Sequence, residues 1–478
     1  MDDHPTHGSE QGSEADHPEE ACGVFGVLVA SEDEQASFAV FDGLYALQHR
    51  GQESAGIAAV DDGRITVVKD LGLVASVFDE ATLRALRGRL AIGHTRYATA
   101  GDRGWENAQP LLHDHAGAQI AVAHNGNLTD PPQTPAPNGR IPSDTERIAA
   151  AVAEALGSAT TPAAVAEAVA HALAPLHGAF SLVMTDGQHL IAARDRHGFR
   201  PLCVGRFPDG GWVVASETPA LDVVGASFER EVDPGEVLVI GDDAQASSSL
   251  PGPHFQHLCV FEFVYFARPD AKLLGREVHG TRRRMGEHLA RVAPVEADMV
   301  MGVPDSGIPA AEGYALASGI PYGQGLVKNR YIGRTFINPG AAQRRQAIRR
   351  KLNALEDNVR GKRLVVVDDS IVRGATTRQL VALLRQAGAA EVHLRISSPP
   401  YRWPCYYGID TPSRPELIAS RLSVDEIAQE LGADSLAYLP LAHLRDAVGV
   451  THGCCDACLT GAYPETVSEA AAAGAGSR

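Results

Sequence analysis

Three groups of residues in this chain of 478 have types and spacing that could act on a substrate. The first starts at "EEACGVFGVL" (Glu19–Leu28), where a lone thiol, Cys22, stands between an acidic stretch and an apolar run. "LQHRGQESAGI" (Leu47–Ile57), "GHTRYATAG" (Gly93–Gly101), "AHNGNLTD" (Ala123–Asp130) and "PSDTE" (Pro142–Glu146) concentrate further polar chemistry. These types suit attack on an amide: a thiol, an Asn-Gly pair to hold an oxyanion, and Arg with Asp to grip an amino acid's charged ends. Each also has a plainer reading. Cys22 fits a buried structural thiol, Asn125-Gly126 a hairpin turn, and Arg50 or Asp144 an ion pair or helix cap. Ser143 with Glu146 three residues on reads as a capping box.

The second group is "RLVVVDDSIVRGATT" (Arg363–Thr377). A β-branched run ends in paired acids, followed by a Gly- and Thr-containing loop and a helix. Asp368 and Asp369 then stand at the carboxyl end of a parallel strand, where such sheets bind ligands. Their carboxylates can accept from sugar hydroxyls or serve Mg²⁺, and the loop Ser370–Thr377 suits a phosphate monoester. Alone, this pattern also fits a phosphatase or response regulator. The third group is the thiols: Cys259, Cys405 and "GCCDACLTGAYP" (Gly453–Pro464), whose C-x-x-C from Cys455 to Cys458 reads as a metal or redox signal, zinc by default. Cys203 reads as core.

The elements that must position these groups form two rhythms. Over 22–240, short apolar strands (Val24–Val29, Gly56–Val60, Ile65–Lys69, Ala91–His94, Ile120–Ala123, Ala179–Thr185, His189–Arg194, Trp212–Ser216, Glu236–Ile240) alternate with helical stretches Asp144–Leu156 and Pro162–Leu173, predicting two packed sheets. Asp242–Phe255 reads as a connector of low hydrophobicity. From Met299 the pattern becomes strand–loop–helix, hence a parallel sheet. Apolar residues make up 44%, enough for sizeable cores, and no run reaches the ~18 residues of a membrane span. The net charge of −17 argues against nucleic-acid or anionic-membrane partners. Seven cysteines are too sparse for a disulfide scaffold. Residues 1–21 carry seven acids and no Lys or Arg, unlike a signal peptide. A cytoplasmic protein is expected.

"ACGVFGV", "LQHRGQESAGI", "GHTRYATAG" and "AHNGNL" together resemble the glutamine amidotransferases with an N-terminal nucleophile. The resemblance implies that residues 1–21 are a propeptide whose removal makes Cys22 the first residue. A free α-amine has a pKa of about 7.7–8.0 and can act as the thiol's base, whereas the uncleaved nitrogen is an amide and cannot. It implies that Cys22 forms a thioester with glutamine, and that the Asn125 side chain and Gly126 N–H form the oxyanion hole. Arg96 would grip the α-carboxylate and Asp144 the α-ammonium, with Arg50 and Gly51 lining the pocket.

"RLVVVDDSIVRGATT" resembles the phosphoribosyl pyrophosphate (PRPP) motif of type I phosphoribosyltransferases. "VPDSG" (Val303–Gly307) and "KNRYIGRTFINP" (Lys328–Pro339) resemble that family's pyrophosphate loop and flexible loop. The implied PRPP contacts are Asp305, Ser306, Gly307, Lys328, Arg330, Arg334, Asp368, Asp369, Ser370, Arg373, Gly374, Thr376 and Thr377, with Mg²⁺ at Ser306, Asp368 and Asp369. Ala375 stands where relatives often carry Thr. The flanks of the thiols resemble the iron–sulfur, propeptide-containing amidophosphoribosyltransferases. That implies a [4Fe–4S] cluster on Cys259, Cys405, Cys455 and Cys458, with Cys454 spare.

The expected architecture is α/β. A four-layer α-β-β-α glutaminase domain of the N-terminal-nucleophile type spans 22–250. A type I phosphoribosyltransferase parallel-sheet domain with the iron–sulfur ligands spans 251–464, followed by a disordered tail, 465–478. The expected reaction makes 5-phosphoribosylamine from PRPP and glutamine, releasing pyrophosphate and glutamate, the first step of purine synthesis. The resemblance also implies a homotetramer and feedback inhibition by purine nucleotides. The rivals are a glutaminase with another acceptor, such as a hexosamine-6-phosphate synthase, and a silent homologue acting as a PRPP- or iron–sulfur-linked regulator.

Overall fold

The computed structural model describes residues 22–31, 34–97, 104–129, 142–242, 244–329, 352–409, 411, 413–450 and 453–465. Within these, the first half holds two antiparallel sheets stacked face to face. The described strands of one run in the order Ser227–Glu231, Cys203–Arg206, Trp212–Ala215, Gly23–Leu28, Leu90–Arg96, Ser54–Asp61, Arg64–Leu71. Those of the other run Gln245–Ser249, Glu236–Ile240, Leu190–Arg194, Gly178–Thr185, Ala118–Leu128, Leu111–His115.

Three apolar layers hold this half together. Val24, Ile92, Val183 and Val214 fill the space between the sheets. Phe25, Val40, Leu44 and Ile57 join the first sheet to the helix Ala36–Ala46. Ile148, Val152, Val165 and Phe180 join the second to helices Asp144–Leu156 and Pro162–Leu173. The result is the four-layer α-β-β-α arrangement. Gly23–Leu28 is buried along its whole length because both of its faces are covered, so its sequence is a continuous apolar run without polar alternation.

Two expectations need correction. Within the supposed connector Asp242–Phe255, Gln245–Ser249 (QASSS) pairs antiparallel with Glu236–Ile240 as an edge strand. Its polar composition hid it, since an edge strand needs few apolar side chains. Glu465, assigned to the disordered tail, is instead tied down. It accepts a hydrogen bond from Gly178 N at 2.9 Å and lies 3.2 Å from His197 Nε2.

The second half has a parallel sheet ordered Met299–Gly302, Arg363–Asp368, Glu391–Ile396, Ser435–Tyr438. Val365 and Val367 face one core and Leu364 and Val366 the other, as alternation in a strand covered on both faces requires. Helices Ile308–Ser318 and Ala375–Gln386 follow the first two strands. The halves meet where Leu258–Cys259 runs into a short π-helical turn, Glu262–Phe266, and then the helix Val278–Val292. Leu258–Cys259 pairs in parallel with Cys454–Cys455, so the far end of the described chain returns to where the second half begins. No described helix is long and apolar enough to cross a membrane.

Candidate active site

Cys22 is half-buried at the start of the central strand of the first sheet, its Sγ 3.9 Å from the carbonyl of Tyr97. The next residue, Gly23, pairs with Thr95, which places Cys22 beside the strand end that carries Arg96. Gly51 lies against the same end: a Cβ there would stand 2.5 Å from the carbonyl carbon of Thr95. The two sheets are bridged at this point by His94 Nε2, 3.0 Å from the carbonyl of His124. Asn125 and Gly126 follow directly on the second sheet. Burial holds His94 down to about 3 and also lowers His124, so both rings are neutral at pH 7.

Asn125 is 2% exposed, and its Nδ2 has no hydrogen-bond partner among the described residues. A buried amide donor left unpaired costs about 1–3 kcal/mol, which makes sense if it awaits an acceptor. Gly126 has φ +148°, and a Cβ there would stand 2.1 Å from the carbonyl oxygen of Ala179. Only glycine fits. Asp144 opens the helix Asp144–Leu156, capped by Ser143 and Glu146 as a capping box. Its Oδ2 accepts from Leu128 N at 2.8 Å, fixing the carboxylate to the strand that carries Asn125.

Arg50, which the resemblance places in the lining of the glutamine pocket, has its side chain held by two acids. Its guanidinium is fully buried between Glu217 and Glu262, donating to Glu217 and, at 2.8 and 3.0 Å, to both oxygens of Glu262. Burial alone would depress its pKa, but Glu262 and Glu217 hold it above the usual arginine value. Its Nε donates to the carbonyl of Cys22 at 3.1 Å. Arg50 therefore positions the nucleophile from behind. The partners Glu217 and Glu262 carry no local sequence signal, because Glu262 lies 212 residues away in the other half.

In the second half, Val303–Gly307 and Asp368–Gly374 leave the carboxyl ends of neighbouring parallel strands. Val303 N donates to the carbonyl of Val367 at 2.9 Å, and a Cβ on Gly307 would stand 2.4 Å from that oxygen. Asp305 and Ser306 thus share one strand-end platform with Asp368 and Asp369. The paired acids are buried; Asp368 Oδ1 accepts from Asp369 N at 2.9 Å, and Asp369 Oδ1 from Ser370 Oγ at 2.7 Å. Gly374 precedes the helix Ala375–Gln386 with φ +81°, and Thr376 and Thr377 fall in its first turn. Arg373 reaches Glu416 at 2.9 Å. Lys328 pairs with Asp305, joining the pyrophosphate-type loop to the ribbon Leu326–Lys328 and Leu352–Ala354. Arg330 and Arg334 lie outside the described residues.

Cys259, Cys405, Cys455 and Cys458 line one narrow cavity, with Phe199, Arg200, Tyr407 and Tyr463 among its other walls. Cys454, one residue along the short strand from Cys455, does not line it. Among the described residues no three or more His, Cys, Asp or Glu side chains converge on a single ion. Burial pushes the Cys259 thiol up to about 12, and Cys455 and Cys458 well above the ordinary thiol value.

Residues 94–223 match the glutamine amidotransferase domain family, and 279–397 match the phosphoribosyl transferase domain family. An amidophosphoribosyltransferase of Mycobacterium tuberculosis is 48% identical, the match covering 96% of this chain and 89% of that protein. One from Bacillus subtilis is 47% identical over 94% of this chain and 95% of its own length. A solved structure of B. subtilis glutamine PRPP amidotransferase, complexed with ADP and GMP, superposes with a TM-score of 0.85 at 46% identity, covering 94% of this chain and 98% of that one. The chain belongs to the amidophosphoribosyltransferase family. Its members are pentosyltransferases of the first step of purine biosynthesis, and the two halves described above are the two domains that an amidophosphoribosyltransferase combines.

Proposed function

We propose that this chain releases ammonia from glutamine at Cys22 and uses it to displace pyrophosphate from C1 of PRPP. The observation that carries the reading is the buried Nδ2 of Asn125 beside Gly126, a donor with no acceptor among the described residues. The Cys22 sulfur attacks the amide carbon of glutamine, and charge collects on its oxygen. Asn125 Nδ2 and the Gly126 N–H stabilise that oxyanion, while Arg96 and Asp144 take the carboxylate and ammonium of the amino acid. The Cys22 α-amine passes the proton it took from the thiol to the departing nitrogen as the carbon–nitrogen bond breaks; ammonia leaves, and water hydrolyses the thioester to glutamate. Deprotonation of the thiol needs a free α-amine on Cys22, so removal of residues 1–21 belongs to the proposal. In the second half, Asp368 and Asp369 hold the ribose hydroxyls and the Ser370–Thr377 loop the 5′-phosphate. Asp305, Ser306, Gly307 and Lys328 take the pyrophosphate.

The donor set fits Mg²⁺, a hard cation that is usually held by one or two carboxylates together with substrate phosphates and water. Asp368, Asp369 and Ser306 would hold it, and it would offset charge on the departing pyrophosphate. Four thiols around one cavity match the all-cysteine ligand set that holds iron–sulfur clusters. We assign them to a [4Fe–4S] cluster in a structural role. The nucleotides in the B. subtilis complex support purine nucleotides as regulators here, and a homotetramer is the expected assembly.

Parallel assays of PRPP consumption with glutamine and with ammonia, read alongside intact mass, test this. The mature chain is expected to start at Cys22. Cys22→Ser should abolish the glutamine route and keep the ammonia route, and Asp369→Asn should abolish both. Fully active enzyme retaining Met1, or a Cys22→Ser variant with an intact glutamine route, would overturn the reading.

A further inference from the structure

Arg200 is a buried cation with an unused donor. It is 1% exposed and stands in the wall of the cavity lined by the four thiols. Its Nε donates to the carbonyl of Tyr407 at 3.2 Å, and its Nη1 lies 3.5 Å from Glu262 Oε1. Its Nη2 has no hydrogen-bond partner among the described residues. Arginine cannot shed its proton to escape burial, so the N–H groups of this nitrogen are left wanting an acceptor. The backbone leaves room for it. Gly408, at φ +94°, would bring a Cβ to 3.1 Å from Nη2 if it were any other residue.

Charge gives a reason for the arrangement. Arg50 and Arg200 face Glu217 and Glu262 in the buried seam, and Glu262 already accepts two donors from Arg50. Glu262 is therefore held more closely by Arg50, at 2.8 and 3.0 Å, than by Arg200, at 3.5 Å. Iron and sulfide held by four thiolates carry net negative charge and expose sulfur acceptors. Such a group would supply an acceptor and negative charge together.

We propose that Arg200 donates from Nη2 to a sulfur of the group held by Cys259, Cys405, Cys455 and Cys458, and serves as its counter-charge. This rests on the reading of those thiols as iron–sulfur ligands. Hydrogen bonds to sulfur and nearby positive charge both raise a cluster's reduction potential. Arg200 thereby favours the reduced form, and the shared Glu262 places it one residue from the arginine behind Cys22.

The test uses the full chain, reconstituted anaerobically with iron and sulfide and labelled only at arginine with ¹⁵N. Pulsed EPR of the reduced cluster is expected to show a ¹⁵N coupling, lost in Arg200→Lys and Arg200→Gln. The midpoint potential should move downward, further in Arg200→Gln than in Arg200→Lys, which keeps the charge. A cluster that forms without ¹⁵N coupling in the unsubstituted chain overturns the role of Arg200 and leaves the thiol assignment standing. That measurement needs no variant to fold. A chain that takes up no iron and sulfide overturns the thiol assignment itself, and the proposal with it.

Discussion

Arg50 and Glu262 form a two-pronged buried pair, with both carboxylate oxygens of Glu262 accepting from the guanidinium at 2.8 and 3.0 Å. The acid comes from the turn that opens the second half and the base from the loop behind Cys22. The Cys22 backbone in one domain is thus steadied through a residue of the other.

Arg50→Met should be severely destabilising, because it strands Glu217 and Glu262 without a cation. Breaking a buried pair from one side typically costs ~3–5 kcal/mol. Urea denaturation should show that loss. Arg50→Lys, which keeps charge but cannot reach Cys22 and both acids as a fork, should fold and lose glutamine-dependent turnover. Unchanged turnover in Arg50→Lys would remove the positioning role.

Asn125→Ala should lower glutamine-dependent kcat by about 10²–10³, the usual effect of losing one oxyanion donor. KM for glutamine should change little, since the donor acts on charge that develops after binding. Ammonia-dependent synthesis is the internal control and should stay at the native level. Asn125 has no partner at Nδ2 among the described residues, so truncation should not weaken the fold through lost hydrogen bonds at that atom.

Cys454 and Cys455 are neighbours with different fates. Cys455→Ser should abolish iron and sulfide uptake, whereas Cys454→Ser should retain both, because only Cys455 faces the cavity. Iron and sulfide analysis after anaerobic reconstitution separates the two. Equal loss in both variants would contradict the geometry.

His94 makes the fold acid-sensitive. Its pKa is depressed to about 3 in the folded chain, against about 6.5 when unfolded. Between these values the unfolded chain binds a proton that the folded chain refuses, so stability is full above about pH 6.5 and falls as pH drops towards 3. The shift is worth several kcal/mol at most. His94→Gln keeps a donor for the carbonyl of His124 and should flatten denaturation midpoints measured across that window. A profile as steep as the native one would assign the acid sensitivity to other groups.

What the sequence disclosed follows from how local each signal is. Strand ends with "DD" and "VPDSG" were legible because the motif and the strand that presents it are contiguous, whereas "HNG" falls inside the strand Ala118–Leu128, beyond the expected end at Ala123. Asp144–Leu156 and Pro162–Leu173 agree with the structure to the residue, their caps being adjacent to the helices they start. Gln245–Ser249 was lost because an edge strand of Ser, Ala and Gln lacks apolar alternation. The partners of Arg50 were hidden for a different reason: the acids that hold it lie far off in the chain. Arg200 and Glu262 were invisible for that reason too.

The segment bearing Cys405 also reaches under the strand that carries Asn125 and Gly126. Tyr406 offers its carbonyl to Asn127 Nδ2 at 3.0 Å, and a Cβ on Gly408 would lie 3.1 Å from the carbonyl carbon of Gly126. Part of the glutaminase's foundation is therefore laid by polypeptide that belongs, by sequence order, to its neighbour. Cutting between them would divide one interlocked body, and a graft of either portion onto another scaffold would have to carry that borrowed footing along.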